Sequence, residues 1–144
     1  MENSIRSLRL ALGGVAVLSL ALAAQAGEKK KVDVSKLPPP STKQGVTYAS
    51  DIKPILDKSC VKCHGAEKPK AKLRLDSLDA ALKGGENGKV IVPGKSAESV
   101  FVFSIARLGD EEEWMPPVDN KAKIPPLTTE QVALIRAWID QGAK

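Results

Sequence analysis

The tightest constraint in this sequence is five residues long: Cys60-Val61-Lys62-Cys63-His64, the pattern C-x-x-C-H. It holds both cysteines and the single histidine of a 144-residue chain. Two cysteines cannot build a multi-bridge disulfide scaffold, and one histidine excludes His-rich zinc sites and two-His metal triads. Four chemistries compete for the motif. A thioredoxin-like redox pair also uses C-x-x-C but needs a βαβ context, which this strand-poor pattern does not supply. Structural zinc needs a fourth ligand where only three stand together. A Cys60–Cys63 disulfide closes a loop too small to stabilise much. The fourth is covalent attachment of c-type haem, for which C-x-x-C-H is the signature. The two thiols add to the two vinyl groups, and the adjacent histidine is directed at the iron. The expectation is therefore one haem c, with Cys60 and Cys63 as attachment points and His64 as an iron ligand.

Haem iron takes six ligands, and no second histidine exists. Met115, fifty-one residues after His64, stands in Glu113-Trp114-Met115-Pro116-Pro117. A thioether raises the potential relative to nitrogen ligation, because soft sulfur favours Fe(II). The prolines stiffen its loop by fixing φ. The competing reading is that Met115 fills a gap in a core. A proline-rich loop beside three acids is a poor place for core filler, so Met115 is the expected sixth ligand.

The first 26 residues read as an address. Arg6 and Arg9 precede an uncharged run from Leu10 to Ala24, and Ala24-Gln25-Ala26 is an A-x-A cleavage site. That is the grammar of a secretory signal peptide. The apolar run is short against the ~20 residues of a spanning helix. Were the signal retained, it would be a membrane anchor. Cleavage removes Arg6, Arg9 and Glu2 and lowers the net charge from +5 to +4. Most of that remainder lies in the Lys-rich segment before Gln44. With no basic face and no stacking aromatics, nucleic-acid binding is not expected.

Residues 27–45, ending in a Pro38-Pro39-Pro40 run, read as a Lys/Pro-rich disordered linker, and 46–144 as one domain. Helices are expected at Ser50–Lys58, from Asp76 or Ser77 to Leu82, at Ser96–Leu108 with Ser96 as cap, and at Thr128–Gln141 with a Thr128/Gln131 capping box. Val90-Ile91-Val92 reads as a short extended run. Asp110–Pro126 is a long loop. Five aromatics are few for a self-sufficient core.

In order along the chain stand Asp51-Ile52-Lys53-Pro54-Ile55-Leu56, Cys60 to Gly65, Leu73-Arg74-Leu75-Asp76-Ser77, Gly84-Gly85, Val92-Pro93-Gly94, Met115-Pro116-Pro117 and Ala137 to Ala143. Together they resemble the planctomycete-type cytochrome c family over nearly all of Tyr48–Ala143. The resemblance implies a mainly α, class I cytochrome c-like fold of three to four helices around one haem. In that fold the first and last helices pack together. It also implies Cys60 and Cys63 as attachment points and His64 and Met115 as axial ligands.

The functional expectation is an exported, periplasmic, single-haem electron carrier working between redox partner proteins. It is expected to be monomeric and not an enzyme, since no substrate-transforming constellation is visible. Alternatives are a peroxidase-like haem enzyme or sensor with a displaceable sixth ligand, or a docking subunit of a larger redox complex. Trp114 and Trp138 are candidates to point indole N–H groups at a propionate, and Arg74 to pair with one. Lys53, Lys58, Lys62, Lys68, Lys70 and Lys72 are placed to steer an acidic partner.

Overall fold

The structure, a computed structural model, describes residues 32–144. The expected signal peptide, 1–26, lies outside the described residues. Five α-helices are present there: α1 (Lys53–Ser59), α2 (Val61–His64), α3 (Leu78–Lys83), α4 (Val100–Ile105) and α5 (Thr129–Asp140). No strand occurs among the described residues, and the sole ladder contact is a bridge between Gly85 and Gly88. The mainly α architecture is thus the expected one. The count exceeds three to four because the first helical segment breaks at Cys60, leaving α2 as a separate turn.

The chain enters the fold through Tyr48–Ile52, a single π-helical turn that runs directly into α1. Thr47, not Ser50, caps it by accepting from the Ser50 backbone N–H. One apolar stripe is buried here: Tyr48, Ile52 and Leu56 are inside, and Ile55 packs against the same core. α5 is the longest helix, and its capping box is present as expected. It buries Val132, Ile135, Ala137, Trp138 and Ile139 on one face. That face meets the 48–52 turn and α4, so the first and last helical segments do pack together. Trp138, fully buried, lies 6.0 Å from the Tyr48 ring, tilted by 47°. The Tyr48 hydroxyl donates to Leu75 O at 2.9 Å and the Trp138 indole to Lys144 O at 2.9 Å, so both aromatics are buried with their polar tips satisfied. Burial pushes the Tyr48 phenol up to about 12, with Asp57 and Asp76 adding to the effect.

Three expectations are corrected. Residues 32–45 are not a disordered linker: Leu37 is buried, Ser41 N donates to Ala133 O, and Arg136 donates to Pro38 O. Three prolines hold this segment extended, and an extended chain with free carbonyls is a ready partner for a helix flank. The expected Ser96–Leu108 helix is split into a 3-10 turn, Ser96–Glu98, and α4. Ser96 does not cap it, because its backbone N–H and hydroxyl both donate to Asp140 of α5, at 2.8 and 2.9 Å. The buried face of α4 is accordingly Phe101, Val102 and Ile105, while Val100 is half exposed. Finally, Val90-Ile91-Val92 forms no strand. Val90 O instead accepts from Phe101 N, which ties the run to the start of α4.

Candidate haem site

The C-x-x-C-H motif sits on one helical turn. α1 closes with Cys60 N donating to Leu56 O. Cys60 then leaves helical geometry (φ −129°, ψ −43°), and its carbonyl accepts from both Cys63 N and His64 N, at 3.0 and 2.9 Å. This bracket puts both sulfurs and the imidazole within four consecutive Cα steps. Gly65 ends the turn, and a Cβ there would lie 2.7 Å from Val61 O. The cysteines are free thiols, Cys60 buried and Cys63 half-buried. Burial, helped by Cys63, pushes the Cys60 thiol up to about 12, so it is held neutral.

His64 is oriented by the backbone that follows. Its Nδ1 lies 3.2 Å from Leu73 O. With the proton on Nδ1, Nε2 keeps its lone pair for a metal. Burial lowers the His64 pKa, opposed by the hydrogen bonds to the Leu73 and Lys70 backbone, so the neutral ligand form is favoured. Leu73 is itself fixed. Leu75 N donates to His64 O at 2.7 Å, and Glu86 N donates to Ala71 O at 2.8 Å. Gly85 packs against the same segment, where a Cβ would lie 2.6 Å from Ala71 O.

Met115 hangs from α4, its backbone N–H donating to Ser104 O at 3.0 Å. Its side chain is partly buried against the core cluster that includes Cys60, Ile52, Leu56 and Leu75. Two neighbours flank it. The Arg107 guanidinium lies 5.6 Å from the centre of the Trp114 ring, and Arg107 Nη2 donates to Pro116 O at 3.2 Å.

The other candidates divide. Arg74 is spent on Asp76, Nε to Oδ1 at 2.9 Å and Nη2 to Oδ2 at 2.7 Å, and Trp138 on Lys144 O. The Trp138 N–H is thus not left for a propionate, whereas Arg74 keeps its Nη1. Lys53 pairs with Asp57, whereas Lys58, Lys62, Lys68, Lys70 and Lys72 are exposed around the motif. Arg107 escaped the sequence reading. Its one sequence signal is a lone cation at the end of an apolar helix, eight residues before Met115.

The donor set fits a haem better than a bare metal. Among the described residues no three His, Cys, Asp or Glu side chains converge to hold an ion. Arg107 Nε and Trp114 Nε1, beside Met115, are buried and lack hydrogen-bond partners. Two donors of this kind suit a group that brings its own acceptors and apolar mass.

A helical fold closed by its first and last segments, with C-x-x-C-H on the turn between them, defines a c-type cytochrome domain. A family model described as Planctomycete cytochrome C matches residues 60–119, from the first cysteine through the Met115 loop. Over that stretch the chain is similar to a cytochrome c domain, which implies covalently bound haem c with its iron. Searches of curated proteins and of solved structures return no match.

Proposed function

We propose that this domain is an exported one-electron carrier in which Cys60 and Cys63 anchor the haem and His64 and Met115 are the axial ligands. The observation that carries the reading is the fixing of both would-be ligands by backbone. His64 is aimed by Leu73 O, and Met115 is held to Ser104 O with its thioether against the core that contains Cys60. When bound, haem iron supplies Fe(II)/Fe(III) exchange of a single electron. The protein's part is to hold position. The α1–α2 bracket keeps the two sulfurs at their spacing, and the Leu73 carbonyl keeps His64 neutral at Nε2. The α4 loop presents a soft sulfur, which favours Fe(II).

The signal grammar of residues 1–26 supports export to the periplasm, and none of the described helices is long and apolar enough to cross a membrane. Donor and acceptor are redox partner proteins. A pyridine haemochrome spectrum and intact mass of the exported protein test attachment and processing, with one haem and loss of residues 1–26 expected. The axial pair is tested by the sulfur-to-iron charge-transfer band and by carbon monoxide. The band present and no rapid carbon monoxide binding are expected. Rapid binding would mean a displaceable sixth site, as in a haem enzyme or sensor, and would end the carrier reading.

A further inference from the structure

We propose that Arg107 and Trp114 form a carboxylate clasp that holds one haem propionate and locks the Met115 loop onto the cofactor. The inference rests on covalent haem binding by this domain. Four observations carry it. First, Arg107 Nε and Trp114 Nε1 are both buried without a partner. A buried donor left unpaired is costly, more so when charged, so two such donors mark an acceptor that arrives with a ligand.

Second, the chemistry of the two atoms is one-sided. Guanidinium and indole N–H donate and never accept, and the guanidinium is always charged. The acceptor they call for is an anion, and a carboxylate matches Arg in shape as well as charge. Third, the pair is pre-set. The guanidinium is stacked near the Trp114 ring at 5.6 Å, and Nη2 is already committed to Pro116 O at 3.2 Å. With that tie fixing the guanidinium, Nε is the buried donor left unpaired. Among the described residues Arg107 enters no ion pair.

Fourth, the placement is specific. Trp114 and Pro116 are the residues on either side of Met115, so an anion held here braces the methionine loop from both ends. Of the other donors read from the sequence, Trp138 is occupied by Lys144 O, and Arg74 already pairs with the Asp76 carboxylate. The cofactor of this family carries two propionates, and a cationic clasp beside Met115 would receive one of them.

The test compares exported wild-type protein with Trp114→Phe, Arg107→Gln and Arg107→Lys. Haem content is read by pyridine haemochrome, and the propionate by its bending band in the resonance Raman spectrum. Trp114→Phe keeps an aromatic ring and removes the indole N–H together with the pyrrole half of the bicycle. In haem-loaded protein we expect that band to move in Trp114→Phe and in Arg107→Gln, in the same direction, and less in Arg107→Lys. A second reading uses the wild-type protein alone. Its Trp114 indole proton, assigned by its absence in Trp114→Phe, exchanges with solvent far more slowly than a free indole. An unchanged band in Trp114→Phe with haem attached overturns the clasp, since a trapped water then satisfies these donors. If Arg107→Gln fails to mature, the Trp114→Phe band and the indole exchange decide. Wild-type protein lacking covalent haem would overturn the cofactor reading, and the clasp with it.

Discussion

At the scale of single residues, two positions bear on the axial pair proposed above. Gly85 touches neither ligand, yet its backbone lies against Ala71 O and Leu73, and Leu73 O aims His64. A methyl group there meets backbone, which cannot swing aside as a side-chain tip would. Gly85→Ala is therefore expected to cost about 1–3 kcal/mol of folding stability through overpacking. Urea unfolding of the holoprotein measures it, and a change under 0.5 kcal/mol would mean the segment yields freely (about the ordinary surface range). Met115 acts at the other side. Met115→Ala removes the soft donor, so rapid carbon monoxide binding and a lower midpoint potential are expected. An unaltered potential would show that another group fills the sixth position. The cysteines, His64 and Met115 were singled out from the sequence because each residue type is rare in the chain and its spacing is chemical. Arg107 was not, because one arginine among surface cations carries no mark until its Nε is seen to be buried beside Trp114.

At the scale of elements, the extended N-terminal segment 32–45, a strap, forms one unit with α5. Arg136 reaches Pro38 O and, at 3.0 Å, Ser96 Oγ; Gln141 Nε2 donates to Lys43 O at 2.8 Å. Arg136→Met removes two of these ties. The strap is expected to loosen by about 1–3 kcal/mol, the usual cost of unpairing partly buried groups. Trypsin cleavage after Lys36 or Lys43 should then outpace cleavage in the rest of the chain, and an unchanged digestion pattern would assign the strap's order to Leu37 and Val46 alone.

The lower end of the strap is held electrostatically. Lys43, the Ser50 hydroxyl and the Thr47 N–H all favour the charged form of Asp51 and keep its carboxyl well below the usual range. Its folded pKa lies below the unfolded value of about 3.9. The stabilisation is thus fully present above that value and is lost as pH falls toward the folded pKa. Asp51→Asn is expected to lower the unfolding midpoint at pH 7 and to begin converging on wild type only as pH falls below about 4, the unfolded carboxylate pKa, with the gap closing toward the lower folded pKa. A constant difference across pH would remove Asp51 as the cause. α3 and α5 were readable from their caps and periodicity, since Ser77, Thr128 and Gln131 act locally. The strap and the split at Ser99 were not. Each depends on a partner far along the chain, Arg136 for Pro38 and Asp140 for Ser96, and local propensity holds no record of such partners.

At the scale of the whole molecule, the question is how a nearly neutral domain finds its partners. Net charge is a poor guide, because the charge is unevenly placed. Lys58, Lys62, Lys68, Lys70 and Lys72 are exposed around the attachment turn, while Glu111, Glu112 and Glu113 lie on the loop that leads to Met115. In the clasp, one propionate is neutralised by Arg107, which leaves the lysine side of the motif more positive than the sum of charges implies. A field of this kind steers by orientation. Screening shortens its reach from roughly 30 Å at 0.01 M salt to roughly 10 Å at 0.1 M. Oxidation of the reduced protein by a small anionic complex should therefore outpace oxidation by a cationic complex of equal driving force. The anionic rate should fall on the order of 10-fold from low to high salt. Lys62→Glu with Lys70→Glu and Lys72→Glu should invert the preference without moving the haem spectrum. Stopped-flow traces at several ionic strengths read this directly. If both reagents react at the same rate at every salt concentration, the lysines are only a solvated surface, and partner choice has to come from shape.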